Sequence, residues 1–491
     1  MDKHILHIVD GRERAAGKGD LFYASGNRRP PHQANRSRRL DLSRDVIVDP
    51  AAGGAAFVSS LAGRMAQLGC TNKDIRKRLR GFEINRHLAE LGEALVCERL
   101  RQPYRQKARG KLLRVADSLN LDQSQQSVYD AVFVNPPYGR LLGLDHPVPA
   151  DWSGVSAPGH INKYALFIGL ALRLVKPGGL VAAVCPSSYI AGPLFGPLRR
   201  HIRATAEALR IDVLERKDVF HDVTQDACVA IFRKRKAGDT AVQPFNPICG
   251  RIDRDWKLTA VGTAVPSGSE DDAPWVLPDR QTVLDDGSFH RCSGRLSDYG
   301  VTLKSGNFVW NREKHRLRKR RLKTKPTYPL IWAHNVKLGQ FCLPASRFGG
   351  DPDFVTFNGE SSAIIRTVAV VLQRTTNNRQ VRRLIAAVVP PRVIKKHGGF
   401  VAENHTILIL PSQQSAQFRL LCRLLNSNAV DRRYRRVAGT ASISISSLRD
   451  LPLPKPQHLS AAVKRFADFE RAVEEAYCLS SQSDQKPAEA A

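Results

Sequence analysis

The sequence predicts an α/β protein, a mostly parallel sheet covered on both faces and followed by a second, mixed α/β domain. Three observations carry this. Between residues 45 and 235, short β-branched or apolar runs alternate with segments of helical period, the pattern of strand, crossover helix and parallel strand. Four of those runs end in a polar residue, at Asp49, Glu83, Asp117 and Asn135, and open α/β sheets keep their ligands at the carboxyl ends of their strands. Finally, a chain of 491 residues is too long for one ordinary core, and its composition shifts between Arg233 and Asp285 to a basic run and then scattered prolines with a Ser-Gly-Ser-Glu-Asp-Asp stretch. The expected organisation is a basic arm (1–40), a first domain (41–236), a linker (237–285), a second domain (286–460) and a C-terminal helix with a disordered tail (461–491).

The arm carries Arg28, Arg29, Arg36, Arg38 and Arg39 with no sustained period. Order begins at Asp45-Val-Ile-Val-Asp49, followed by the small-residue loop Pro50-Ala-Ala-Gly-Gly-Ala-Ala and helical spacing from Phe57 to Leu68. Strand, tight loop and helix make the entry to a nucleotide-type site: Gly53 and Gly54 let backbone approach a ligand, and the helix amino end favours a negative group. Leu79 to Asn85 is a second strand-like piece containing Glu83, the kind of acid that accepts from both ribose hydroxyls in nucleotide-binding sheets. A helix at Leu88 to Leu100 and a third strand, Leu112 to Leu119 with Asp117 at its tip, follow.

The fourth run, Asp130-Ala-Val-Phe-Val-Asn-Pro-Pro-Tyr138, suits a buried strand that stops abruptly, since neither proline can give an amide hydrogen to a sheet. Its tip sets an amide, a rigid backbone carbonyl and an aromatic ring side by side, which can grip a planar group carrying an amine. A Gly- and Pro-containing loop from Gly139 to Asn162, long enough for a lid, leads to an apolar helix at Lys163 to Val175 that closes at Lys176-Pro-Gly-Gly179. A strand at Leu180 to Val184, a helix at Pro197 to Leu209 and late strands at Ile211–Leu214 and Ala227–Phe232, with Phe220 between them, complete the domain.

The second domain shows strand-like pieces at Pro329–Trp332, Thr367–Leu372 and His405–Leu410, then helices at Phe418–Leu425 and Ala461–Tyr477. Near its start lies a basic run with Arg312, Arg316, Arg318, Lys319, Arg320, Arg321 and Lys323. Such crowding of like charge suits contact with phosphates better than a solvated helix. The whole chain has 76 Lys and Arg against 46 Asp and Glu, a net charge of +30, so a polyanion is the expected partner. Membrane insertion is not expected, because no run approaches the roughly 20 apolar residues a spanning helix needs. The nine cysteines form no Cys-x-x-Cys pair, and Met1-Asp-Lys-His opens no signal peptide, so no metal site is expected and a reducing, cytoplasmic setting fits best.

These motifs resemble the gamma-class amino-methyltransferases that methylate N6 of adenine in DNA, as found in type II restriction-modification systems. Asp49-Pro-Ala-Ala-Gly-Gly-Ala-Ala-Phe57 is similar to the family's Asp-Pro-Ala-Cys-Gly-Ser-Gly-x-Phe, and Asn135-Pro-Pro-Tyr138 matches its catalytic tetrapeptide. The order of the acids, and Phe167 shortly before Lys176-Pro-Gly-Gly179, follow the same pattern. Gly300 to Gly306, Arg374-Thr-Thr-Asn377 and Gly439 to Ile445 ahead of Leu451-Pro-Leu-Pro454 look like that family's target-recognition region.

The resemblance implies a Rossmann-like S-adenosylmethionine-dependent methyltransferase sheet with a target-recognition domain. It implies double-stranded DNA as substrate and S-adenosylmethionine as cofactor, and it allows a separate restriction endonuclease as partner, with no obligate protein partner evident. Carried over by position, Asn135, Pro136, Pro137 and Tyr138 are the catalytic residues. Asp49, Ala51 and Gly53 line the methionine end of the cofactor, Glu83 holds the ribose, Ile84 packs on the adenine, Asp117 accepts from its amine and Phe167 closes the far side. Phe220 takes the place of the aromatic that stacks on the flipped base. Two departures stand out: Ala52 replaces a cysteine, and Ala55 replaces a glycine, which puts a methyl group where crowding of the methionine end is expected. Methylation of adenine in RNA, methylation of a protein glutamine, and DNA binding over a degenerate cofactor site remain open alternatives.

Overall fold

The computed structural model describes residues 40–102, 110–121, 126–141, 154–214 apart from 158, 227–236, 238, 245–278 apart from 254–256 and 268, 292–343 apart from 293 and 323, 352–375, 382–413, 417–437 and 443–483. Residues 1–39 of the basic arm and Phe220 therefore lie outside the described residues, as do Lys323 and the whole segment from 142 to 153. The chain divides into two compact units, Met1–Pro278 and Asp279–Ala491.

The first unit is built on a nine-stranded sheet. In chain order its strands are β1 (Ile47–Asp49), β2 (Leu79–Glu83), β3 (Leu113–Val115), β4 (Tyr129–Val134), β5 (Val175–Pro186), β6 (Ala206–Leu214), β7 (Ala227–Lys234), β8 (Ile248–Ile252) and β9 (Leu258–Thr263). Their spatial order is β3-β2-β1-β4-β5-β7-β6-β8-β9. Strands β1 to β5 are mutually parallel, β7 runs against both β5 and β6, and β8 returns parallel to β6. The order reverses between β1 and β4, which makes their carboxyl ends the switch point of the sheet.

Helices α1 (Ala56–Gln67), α2 (Asn72–Arg78) and α3 (Arg86–Arg99) cover one face, where Phe57, Leu61, Ile75 and Val96 pack on Ile47, Ala131 and Phe133. Helices α4 (Lys163–Leu174) and α5 (Gly196–Thr205) cover the other, with Leu166, Leu170, Leu198 and Ile202 against Val48, Val132 and Val134. Strand β4, covered on both sides, is buried along its whole length. Its continuous apolar run is the signature of a central parallel strand.

Three expectations are corrected. The helix placed at 197–209 ends at Thr205, and Ala206–Leu209 already belong to β6, because pairing with β7 overrides their helical propensity. The stretch placed as a linker, 237–285, contributes β8 and β9 to the sheet and a fully buried Trp275, which packs on Tyr189 and Phe245 with ring centroids 5.6 and 4.5 Å away. The helix placed at 461–477 is two helices, Pro456–Arg465 and Phe469–Ser483, interrupted where Phe466 turns extended.

The second unit holds a four-stranded antiparallel sheet, ordered Val301–Ser305, Thr406–Pro411, Val370–Gln373 and Ala386–Val388. Helices Phe418–Leu425 and Asn428–Val437 and the C-terminal pair supply its core, with Leu421, Val430, Tyr434 and Tyr477 buried beside Ile407 and Ile409. A five-stranded mixed sheet runs Leu317–Arg318, Phe354–Thr356, Thr327–Ile331, Phe400–Ala402 and Ile364–Ile365. Among the described residues, no helix is long and apolar enough to cross a membrane.

Candidate active site

The parallel register sets the polar strand ends along one rim. Val48 faces Val132 on β4 and Arg80 on β2, and Glu83 at the end of β2 faces Val115 on β3, so Asp49, Glu83, Asp117 and Asn135 all leave the same edge of the sheet.

The loop after β1 is held by its own hydrogen bonds. Asp49 is buried, and its Oδ1 accepts from the Ala51 N–H at 2.9 Å. The Ala52 N–H donates to the Phe82 carbonyl, and the Gly53 N–H donates to Glu83 Oε2 at 2.9 Å. Gly53 has φ +49°, and a side chain at Gly53 or Gly54 would meet open space, so the backbone here is bare toward the rim.

Ala55 also lies in the left-handed region, at φ +63°. It has no exposed surface, so its methyl group does not line the open loop. It packs instead against helix α3, where a Cβ added to Gly92 would stand 2.8 Å from the Ala55 Cβ. The expected crowding of the rim by Ala55 is thus corrected: its side chain occupies the space that a missing side chain at Gly92 leaves. Ala52 is likewise buried, beneath Gly81. Gly92→Ala is expected to destabilise the first unit by about 1 to 3 kcal/mol through overpacking. Thermal unfolding checks this, and Ala55→Gly in the same chain is expected to recover most of the loss.

Glu83 is half-buried, and besides Gly53 its Oε1 accepts from the Asn85 N–H at 2.7 Å. A carboxylate offers about four acceptor directions, so capacity remains for hydroxyl donors. Ile84, directly after it, is 61% exposed, a large apolar surface beside the acid. Asp117 caps a short 3₁₀ turn, with Oδ1 accepting from the Leu119 N–H at 3.0 Å and Oδ2 from Asn120 Nδ2 at 2.9 Å. Phe167 is half-buried on α4 and packs into the same apolar cluster as Ala51, Ala116 and Leu119.

Two supports escaped the sequence reading. The buried Ser118 hydroxyl donates to the Pro50 carbonyl at 2.6 Å, tying the third strand tip to the first loop. Asp130 accepts from the Val46 N–H at 2.9 Å and from Lys176 Nζ at 3.1 Å, which fixes the start of β4. The acid-serine pair after a strand was the only available signal for the first.

At the end of β4, Asn135 and Pro137 are exposed, Pro136 is buried and Tyr138 is half-buried. Beneath them, Tyr164 shares a 2.8 Å hydrogen bond with Ser188, and Cys185 faces Cys228 across β5 and β7. Burial, with these thiols nearby, pushes the Tyr138 hydroxyl well above its ordinary value, so the ring stays neutral at any working pH.

The basic run of the second unit is not a helix. It passes through a 3₁₀ turn at Lys314–Arg316 into the strand Leu317–Arg318. Arg318 Nη1 donates to the His315 and Leu317 carbonyls at 2.6 and 2.7 Å, and Arg316 Nε lies 3.0 Å from Glu313 Oε2. Arg312, Lys319, Arg320 and Arg321 are exposed.

Comparison with known proteins finds a family match over part of the chain. Residues 66–220 match the family described as Eco57I restriction-modification methylase, a span that includes Glu83, Asp117, Asn135 to Tyr138 and Phe167. The type II methyltransferase M.PstI of Providencia stuartii is 23% identical over 360 residues, covering 70% of this chain and 69% of its own. The type II restriction enzyme and methyltransferase RM.BcgI of Heyndrickxia coagulans is 27% identical over 202 residues, covering 38% of this chain and 28% of its own. Among solved structures, the type IIL restriction-modification enzyme MmeI in complex with DNA aligns over 90% of this chain and 69% of its own, with 13% identity and a TM-score of 0.49. Over residues 66–220, which hold most of the strand tips on this rim, the chain is similar to an Eco57I restriction-modification methylase domain.

Proposed function

We propose that this chain is a site-specific DNA methyltransferase that transfers a methyl group from S-adenosylmethionine to N6 of an adenine flipped out of the duplex. The observation that carries the reading is the Asn135-Pro136-Pro137-Tyr138 tip of the buried β4, standing at the switch point beside the acid-ended β1 and β2. The residues present fit the cofactor. Gly53 and Gly54 leave bare backbone facing open space, Glu83 keeps acceptor capacity for two ribose hydroxyls, and Ile84 offers an exposed apolar face to an adenine. Asp49, Ala51 and Gly53 would hold the methionine end, with Asp117 and Phe167 completing the adenine pocket. When bound, S-adenosylmethionine supplies an electrophilic methyl group on a sulfonium.

Adenine N6 is a poor nucleophile because its lone pair is delocalised into the ring. The Asn135 side-chain oxygen and the Pro136 carbonyl each accept one N6 hydrogen, which draws the nitrogen toward a tetrahedral shape and frees its lone pair for in-line attack. Catalysis of this kind is chiefly positioning. Flipping the base costs a few kcal/mol, and stacking on Tyr138 returns about 1 to 3 kcal/mol. Phe220 serves as a second stacking surface in this reading. A restriction endonuclease of the same specificity is the partner it implies.

The test is transfer of labelled methyl to unmodified duplex DNA, with the modified base located by single-molecule sequencing. N6-methyladenine at one short sequence is the expected result. Label in RNA or protein with none in DNA overturns the reading. Phosphate contacts fall to the exposed Arg312, Lys319, Arg320 and Arg321. Replacing Lys319, Arg320 and Arg321 together by alanine is expected to flatten the slope of log affinity against log salt by about 2 to 3. An unchanged slope in DNA-binding titrations would return that segment to solvent.

A further inference from the structure

The second unit contains a half-open pocket of about 350 Å³ bordered by Asn307, Glu313, Arg316, Phe357, Asn358 and Glu360. Its charge differs from that of the surrounding run, because one arginine stands among two glutamates. Two carboxylates repel a phosphate oxygen, so the pocket is a poor place for the DNA backbone.

Arg316 is held there from two sides. Its guanidinium lies over the Phe357 ring, 5.0 Å from the centroid, and its Nε sits 3.0 Å from Glu313 Oε2, an ion-pair distance at which the N–H does not point along a hydrogen bond. That contact engages Nε and leaves the fork of terminal N–H groups for a ligand. The backbone is set by the sheet, because Leu317, directly after Arg316, pairs with Val355, two residues before Phe357, and Arg318 pairs with Phe354. A side chain held by its neighbours and placed beside paired strands is arranged for recognition more than for diffuse attraction.

We propose that this pocket reads a G·C base pair, with Arg316 donating to guanine O6 and N7 and a pocket carboxylate accepting from the cytosine amino group. The major-groove edge of that pair presents two acceptors on guanine and one donor on cytosine. One arginine fork beside carboxylates matches that pattern, and Glu360, also 3.5 Å from Arg366, is the exposed carboxylate. The exposed amides of Asn307 and Asn358 line the same pocket and face a neighbouring pair. Arg316 thereby leaves the set of backbone contacts and becomes a specificity residue, while Lys319, Arg320 and Arg321 keep the phosphate role. This assignment rests on the reading of the chain as a DNA-modifying enzyme.

Selection of bound duplexes from a randomised library, with the full chain and no methyl donor, tests it. The unaltered protein is expected to enrich a sequence containing a G·C pair. Arg316→Gln is expected to lose the preference at that one position by about 5- to 100-fold and keep the others. The Lys319, Arg320 and Arg321 variant should bind more weakly and enrich the same sequence. If Arg316→Gln fails to give a folded circular dichroism spectrum, Arg316→Lys, which retains the cation over Phe357 but not the fork, carries the same reading. An unchanged sequence in the folded variant, a uniform loss of affinity across all sequences, or no enrichment by the unaltered protein overturns the proposal. Enrichment without methylation would instead defeat the proposed activity and leave the pocket assignment standing.

Discussion

Asn135→Ala is expected to lower the rate of methyl transfer by at least about 10²- to 10³-fold, the scale of losing one preorganised polar contact to a reacting group. Cofactor affinity should stay close to that of the unaltered protein. The separation follows from where the residue sits. Asn135 is exposed at the tip of β4, past Val134, the last residue of the buried strand, so its removal uncovers no core. Surface substitutions of that kind stay within about 0.5 kcal/mol in stability. On the cofactor side, Asp49 accepts from the Ala51 N–H, and Glu83 accepts from the Gly53 and Asn85 N–H groups. Single-turnover transfer of labelled methyl and direct titration of S-adenosylmethionine read the two effects apart. Loss of both together would make Asn135 a structural residue and remove it from the chemistry.

The candidate site was legible because its residues announce themselves locally. Each strand tip is a change from apolar to polar within two residues, and Asn135-Pro-Pro-Tyr138 combines that change with two residues that cannot extend a sheet. Ala55 was misjudged because its direction depends on Gly92, distant in sequence, and a left-handed backbone at an alanine leaves no mark in composition. Strands β8 and β9 were missed for a related reason. Ile-Cys-Gly-Arg-Ile and Leu-Thr-Ala-Val-Gly-Thr are short and broken by glycine, and β9 is largely exposed, so neither gives an apolar run; their register is supplied by β6. The basic run shows the same limit in charge. Seven cations look alike in sequence, yet Arg318 Nη1 is engaged by two carbonyls, and Arg316 lies over a ring with its Nε beside a carboxylate and its terminal N–H groups open.

Arg199→Met is expected to cost about 3 to 5 kcal/mol locally, the scale of breaking a buried charged network. Arg199 on α5 is 2% exposed, and its guanidinium donates to four carbonyls. Nε reaches Asp272 and Ala273 at 2.9 and 3.1 Å, and Nη1 reaches Tyr189 and Gly192, both at 2.8 Å. Burial lowers its pKa to about 10, with Asp272 opposing the shift, so the side chain remains a cation at neutral pH. Methionine fills similar space and donates nothing, which leaves those carbonyls facing an apolar interior. Lysine keeps the charge without the planar fork and should fall between the two. The loss is local because Arg199 joins α5 and the turn at 188–192 to the segment at 272–273, which Arg200 and Arg203 also grip through Asp272 and Asp271. Amide hydrogen exchange should therefore accelerate by about 10²- to 10³-fold in α5 and around Trp275. The β1 and β2 tips lie on the far side of β4 and β5 in the sheet, so their protection and the binding of S-adenosylmethionine should persist. Equal acceleration throughout the sheet would show that the segment at 270–276 is part of one cooperative core with the active-site strands.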